Sequence, residues 1–352
     1  MKRIKISTIV LVTFAIIATL VILPGCKTAV TTTTAAAATT TTAAAETTAA
    51  ETTKAAKTYK IVNLWLGMAA PYCPPYKATF EAGAKENGWD LTFFDGKFDA
   101  ALQANQMDEA IAMKPDLIIL CALDASGMAA GMKKAFDAGI PLIVDHTLAN
   151  KEDQQYTIAY TGPDNYTEGL LGGELMNEAL GGKGKVVIIT GATGQEAAIN
   201  RPKGFRDKLK ELNSQIEVLA EQTAEWDKAK ATKVMADFIT RYGKELNGVY
   251  GADDTLAVGA FIALQEAGYK KGDLILVGVG GSKEGLAAIK DGTIYGTVLQ
   301  SPVAGAKAAI ETIKKALEQG IKPPKQMDPY LRFMPLPKIT AANVDQYLPG
   351  EW

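Results

Sequence analysis

The stretch Leu117-Ile118-Ile119-Leu120-Cys121-Ala122-Leu123-Asp124 decides how the rest of this chain is read. Its apolar residues run without a break, which suits a strand buried on both faces rather than one half in water. A helical pattern over 126–138 follows and stops at Gly139, the residue type that best tolerates the left-handed turn after a helix. Leu142-Ile143-Val144-Asp145 then starts another apolar strand. A strand, a helix and a second buried strand make the repeating unit of a parallel sheet, because parallel neighbours need a crossover between them.

The unit recurs in the second half. Val249-Tyr250-Gly251-Ala252-Asp253-Asp254 leads into a helical stretch ending Glu266-Ala267-Gly268-Tyr269, and a strand over 274–279 follows. Any strand–helix–strand unit shares part of this pattern, but the matching Ala-Gly stops favour two related lobes. Outward from these units, further strands are expected at 60–67, 91–94, 156–161, 185–190, 216–219, 293–298 and 330–334. Helices are expected at 76–87, 99–113, 165–180, 201–212, 227–242, 254–267, 283–291 and 303–319. The fold class expected is α/β, with two similar doubly wound lobes.

Composition agrees. The chain has 352 residues, 47% of them hydrophobic, enough for two domains and additional segments. Lys and Arg number 37 against 39 Asp and Glu, a balance that opposes a dominant nucleic-acid-binding surface. One histidine and three cysteines leave little for a zinc site, and no metal or cofactor is expected. No phosphate-loop motif occurs. Gly278-Val279-Gly280-Gly281 lacks the third glycine of a dinucleotide fingerprint, and Asp253 and Asp254 are adjacent rather than opposed across a bond. The chain therefore does not read as an enzyme.

The first residues have a different character. Lys2, Arg3 and Lys5 precede 21 uncharged residues, 6–26. A membrane-spanning helix is one reading of such a run. Its end, Leu23-Pro24-Gly25-Cys26, resembles a bacterial lipobox, and that favours a signal peptide over 1–25 with Cys26 lipidated. Losing Lys2, Arg3 and Lys5 takes the formal charge from −2 to −5. Residues 27–58 hold 14 Thr and 12 Ala among 32 positions, too few large apolar groups to offset the entropy of folding. Residues 26–58 are expected to be a tether reaching about 30 Å.

Residues 59–335 resemble the periplasmic sugar-binding proteins of the ribose-binding type. The resemblance is carried by Pro71-Tyr72-Cys73 after the first strand, by Pro141-Leu142-Ile143-Val144-Asp145-His146, and by Gly162-Pro163-Asp164-Asn165 followed by Gly172-Gly173. Arg201-Pro202-Lys203-Gly204-Phe205, Ala252-Asp253-Asp254-Thr255-Leu256-Ala257-Val258-Gly259-Ala260 and Thr297-Val298-Leu299-Gln300 complete it. No single motif is specific; their order across the chain is.

The resemblance implies two lobes joined by three hinge crossings, with a ligand cleft between them. It implies a binding component of an ABC importer that delivers its ligand to a membrane permease. The lobe boundaries expected are 59–163 with 301–328, and 164–300 with 329–352. The ligand-binding positions it points to are Tyr72, Asp124, Asp145, His146, Asn200, Trp226, Asp253 and Gln300. Carboxylates and amides suit sugar hydroxyls, which both donate and accept, and aromatic rings suit the C–H faces of sugars. Arg201 is an alternative to Asn200, and Asp254 reads as the cap of the helix after it. Gly280 stands where ribose-type members usually carry an Asp, and His146 where an Arg is common. The ligand expected is a small polyhydroxylated molecule, a monosaccharide first, bound by a monomer. Another polar ligand on the same scaffold, or a sensor rather than an importer, is the alternative. Cys73 and Cys121 are expected to be free buried thiols, a disulfide between them being the alternative.

Overall fold

The computed structural model describes residues 57–352. The expected signal peptide, Cys26 and nearly all of the tether lie outside the described residues.

The first lobe begins with β1 (Lys60–Trp65), α1 (Cys73–Glu86), β2 (Asp90–Asp95) and α2 (Ala100–Ala112). It continues through β3 (Leu117–Leu120), α3 (Ala125–Asp137), β4 (Leu142–Asp145) and β5 (Ala159–Gly162). The second lobe opens with α4 (Asn165–Leu180), β6 (Lys183–Thr190), α5 (Glu196–Glu211), β7 (Gln215–Thr223) and α6 (Lys228–Tyr242). Its next elements are β8 (Gly248–Gly251), α7 (Asp254–Glu266), β9 (Ile275–Val277), α8 (Lys283–Lys290) and β10 (Gly296–Val298). The chain then returns to the first lobe for α9 (Pro302–Glu318) and β11 (Leu331–Phe333), and crosses once more for β12 (Lys338–Thr340).

Two six-stranded sheets result. The first has the order β11-β5-β4-β3-β1-β2 with every pairing parallel; the second runs β12-β10-β9-β8-β6-β7, parallel except where β12 meets β10. Each sheet reverses its winding beside its first strand, between β1 and β3 and between β6 and β8. Ligands of doubly wound sheets bind at the carboxyl ends of the strands beside such a reversal.

The alternation of strand side chains explains the double cover. Ile61 and Trp65 pack on one face with Tyr76, Phe80 and Ile313, while Val62 and Leu64 pack on the other with Met107, Leu120 and Met132. Helices α4 and α5 touch backbone to backbone. A side chain at Gly169 would sit 2.1 Å from the Arg201 carbonyl, and one at Gly204 2.1 Å from that of Tyr166, so only glycine allows the approach.

Some boundaries differ from expectation. The helix expected at 76 starts at Cys73, because Pro74 and Pro75 fit a first turn whose N–H groups need no helical partner. The helix expected at 201 starts at Glu196 and carries Pro202 inside it. The carboxylate of Glu196 holds Asn200 and Asn165, which anchors the early turn. Tyr156 belongs to a short 3-10 turn, Gln154–Tyr156, and not to β5. The last crossing also comes later than residue 328. β11 pairs with β5, Leu331 opposite Tyr160, so it completes the first sheet and only 334–337 cross.

Candidate functional site

Polar side chains converge where the carboxyl ends of the two sheets meet. From the first lobe, Asp145 ends β4 and is fully buried. Its Oδ2 accepts the hydroxyl of Tyr76, and its Oδ1 lies 2.7 Å from His146 Nδ1. Nε2 of the same imidazole lies 2.5 Å from the Tyr72 hydroxyl. Burial, reinforced by the Asp145 charge, pushes the phenols of Tyr72 and Tyr76 well up, so each donates. A ring proton on Nδ1, facing the Asp145 carboxylate, makes the chain read Tyr72 O–H to Nε2, Nδ1–H to Asp145. Trp65, Tyr72 and Tyr76 present their rings to His146 at centroid distances of 5.1, 5.3 and 5.4 Å, all edge-on. Tyr72 immediately precedes α1 and makes no capping bond to it.

The second lobe contributes a cationic hub. Arg201 is 4% exposed and all of its donors face inward. Its Nε meets Glu168 Oε2 at 2.8 Å and Asn165 Oδ1 at 3.1 Å. Nη1 reaches the Ala252 carbonyl at 2.8 Å and Nη2 the amide oxygen of Gln300 at 3.2 Å. Burial pushes the Glu168 carboxyl up to about 7 even though Arg201 opposes the rise, and its second oxygen, Oε1, has no partner. The guanidinium carbon stands 5.7 Å from the centre of the Trp226 ring. Trp226 donates its indole N–H to Gln195 and lies flat against Gly191, where a methyl group would come within 1.8 Å of the ring.

His146, Glu225 and Trp226 are left-handed non-glycine residues, with φ of 60°, 54° and 60°. Each costs about 1–2 kcal/mol. The two loops concerned aim the imidazole and the indole, a pattern frequent at functional sites. Asn165 joins the two halves. Rooted in α4 of the second lobe, it donates to the His146 carbonyl of the first at 3.2 Å and also to Glu196.

The expected residues distribute unevenly. Tyr72, Asp145 and His146 form one connected group, and Gln300 joins Trp226 and Arg201 in another. Asp253 is half-buried beside that second group and caps α7, accepting the Leu256 N–H at 2.8 Å. Burial pushes its carboxyl up to about 7; the Leu256 N–H and Arg201 pull it down and Asp254 pushes it further up. The cap expected of Asp254 therefore belongs to Asp253. Asp254 itself is fully buried and accepts from Ser282 N–H at 2.8 Å and Thr297 O–H at 2.6 Å. Asp124 caps α3 through the Ser126 N–H, and Asn200 is spent on Glu196 within its own helix. Sequence reasoning missed Glu168 and Tyr76 and gave Arg201 only second place. A signal existed: Asn165 and Glu168, three apart at a helix start, share one face. Cys73 and Cys121 are free and buried; burial pushes Cys73 up to about 11 and Cys121 up as well.

Surface hollows lined by Lys60, Asp90 and Pro115, or by Gly272, Ile275 and Ala341, lie at the opposite ends of the sheets and gather no comparable polar set. Among the described residues no helix is long and apolar enough to cross a membrane.

The profile of the periplasmic binding protein domain matches residues 61–322. The chain belongs to the periplasmic binding protein family. It is 32% identical over 269 residues to the xylitol-binding protein of Mycolicibacterium smegmatis, covering 76% of this chain and 74% of that one. It is 32% identical over 284 residues to the D-apiose import binding protein of Paraburkholderia graminis, covering 78% and 86%. Among solved structures, a galactofuranose binding protein superposes with a TM-score of 0.75 at 25% identity, covering 82% of this chain and 96% of that one. The binding component of the arabinose ABC transporter from Shewanella sp. ANA-3, bound to L-arabinofuranose, does so at 0.74 and 26%, covering 82% and 93%. Periplasmic binding proteins act outside the cytoplasm and hand on a bound solute, so the convergence of polar groups at the junction of the two lobes falls where this family's work is done.

Proposed function

We propose that this periplasmic binding protein captures a monosaccharide or a closely related polyol between its lobes and delivers it to an ABC permease. The observation that carries the reading is the pairing of two unlike half-sites. The first lobe offers Asp145, His146 and Tyr72, and the second offers Arg201, Gln300, Asp253 and the Trp226 ring. A polyhydroxylated ligand satisfies both, since its hydroxyls donate to carboxylates and to the Tyr72 oxygen and accept from Arg, and its C–H face covers the indole. Charged partners make these hydrogen bonds about twice as strong as neutral ones. The names of the relatives, which include xylitol, D-apiose and ribose binding, support pentoses and pentitols as the first class to test.

Ligand stabilises the closed arrangement because only there do both lobes touch it. In this reading Cys26 carries the lipid, residues 26–58 let the monomer reach its permease, and Asp124 and Asn200 act as structural residues. The test is a melting-shift screen of the chain from residue 26, unfolded and refolded to strip carried ligand, against pentoses, hexoses, polyols, nucleosides and amino acids. At a hundred times its dissociation constant a ligand stabilises by about 2.7 kcal/mol. A shift confined to sugars and polyols is expected; a shift confined to nucleosides or amino acids overturns the ligand class. Mass spectrometry of the membrane-extracted protein should find a lipid-modified Cys26 as its first residue, and an unmodified Cys26 or a retained 1–25 segment would overturn the lipid anchor.

A further inference from the structure

The segment after β12 lies across both lobes. Its Gly350 packs on Lys283 at the start of α8, and the Lys283 N–H donates to the Trp352 carbonyl at 2.5 Å. Both contacts belong to the second lobe. The carboxylate of Glu351 turns the other way, to α9 of the first lobe, accepting from the Ser301 hydroxyl at 2.6 Å and the Val303 N–H at 3.2 Å. The neighbouring indole ends between the lobes. The Trp352 ring meets the Tyr72 ring edge-on at 5.6 Å and covers Gly280, where any Cβ would come within 2.8 Å of its Cζ2. Gly280, with φ of 138°, is a glycine for its backbone conformation, and the ring fills the space a side chain would need.

Two features give the ring a task beyond packing. It touches Tyr72, which completes the His146–Asp145 chain of the first half-site, and it lies against Gly280, whose carbonyl accepts the backbone N–H of Gln300 of the second at 2.9 Å. Its Nε1–H is buried and has no acceptor. Buried donors are rarely left unpaired, and one that lies beside a binding site has a bound ligand within its reach as a partner.

We propose that Trp352 is a ligand-selecting residue, a wall of the site whose indole N–H donates to an oxygen of the bound ligand and whose ring limits ligand size beside Gly280. This deepens the sugar-binding reading above and rests on it. Trp352→Phe keeps the wall and removes the donor; Trp352→Ala removes both.

The test titrates D-ribose, xylitol and myo-inositol, followed by calorimetry, into the ligand-stripped protein and each variant. For the probe that binds, Trp352→Phe should weaken affinity about three- to tenfold, the scale of one hydrogen bond. Trp352→Ala should weaken it further and change the ranking of the probes, which a merely structural loss would not do. Unchanged affinity and ranking in a folded Trp352→Phe overturns the proposal even if Trp352→Ala does not fold. Tighter binding by Trp352→Ala overturns it too, since the segment would then obstruct the site. Silence of the wild-type protein toward these probes and toward every sugar and polyol of the screen above would instead remove the parent reading, and this proposal with it.

Discussion

His146 Nδ1 lies 2.7 Å from Oδ1 of Asp145, the residue immediately before it. Adjacent residues of a strand point to opposite faces, so such a bond needs the backbone to turn between them. The left-handed φ of 60° at His146 supplies that turn and brings the ring back over the end of β4. The imidazole is thereby held at both nitrogens, by Asp145 on one side and Tyr72 on the other.

Asp145→Ala should destabilise the protein by about 3 kcal/mol, because it strands the Tyr76 hydroxyl and the His146 Nδ1–H in a buried place. Asp145→Asn, which keeps an acceptor, should cost less. Urea unfolding measures both, and equal midpoints for Asp145→Ala and wild type would mean that the chain of bonds carries no stability.

Removing Arg201 exposes the other half-site to a worse mismatch. Arg201→Met leaves Glu168 buried without its cation and should cost about 3–5 kcal/mol. Adding Glu168→Gln should recover much of that loss, because the uncompensated carboxylate goes with it. A double-mutant cycle reads the coupling directly; strictly additive losses would show that the two side chains do not act as a pair.

Stability should fall as pH rises from 5 to 8. Asp253 and Glu168 are both pushed up to about 7, from 3.8 and 4.5. A carboxyl whose folded value exceeds its unfolded one favours the folded state fully below the unfolded value, and the benefit is lost as pH climbs through the folded one. Asp253→Asn can still cap α7 and removes one of the two titrations, so its melting temperature should decline less over this range. Parallel pH profiles for the two proteins would assign the titration elsewhere.

Gly191→Ala should displace an aromatic ring without touching any polar group of the site. The added methyl would lie within 1.8 Å of the Trp226 ring, so the indole must leave Gln195 and its place near Arg201. Weaker ligand binding with a changed near-ultraviolet circular dichroism spectrum is the expected result. An unaltered spectrum would mean that the loop absorbs the methyl.

The architecture was legible in the sequence because burial on both faces of a parallel sheet leaves long apolar runs, and Gly139 and Gly268 punctuate the helices after them. That Asp145, His146, Trp226 and Gln300 lie at the carboxyl ends of the sheets was legible because strand ends and helix starts are where such folds place polar groups. Arg201 was harder to see. Its importance comes from the glycine contact between α4 and α5, which brings a residue of one helix against Asn165 and Glu168 of another, 36 and 33 positions away in sequence. Nothing local marks that meeting. The cap of α7 was placed on Asp254 rather than Asp253 for a related reason: either could cap the helix, and only the distant Ser282 and Thr297 show which one turns inward. Trp352 was passed over because no periodicity reaches the segment that carries it.

The three crossings have a consequence for synthesis. The edge strand of the first sheet, β11, and helix α9, which packs on α1 and β5, come after every strand of the second sheet but one, and that sheet waits for β12 at residues 338–340. Neither half can be finished from a growing chain until almost all of it has emerged. Pairings this distant in sequence form slowly. The interleaving that joins the lobes thus also couples their folding, since neither sheet is complete before residues 331–340 are in place.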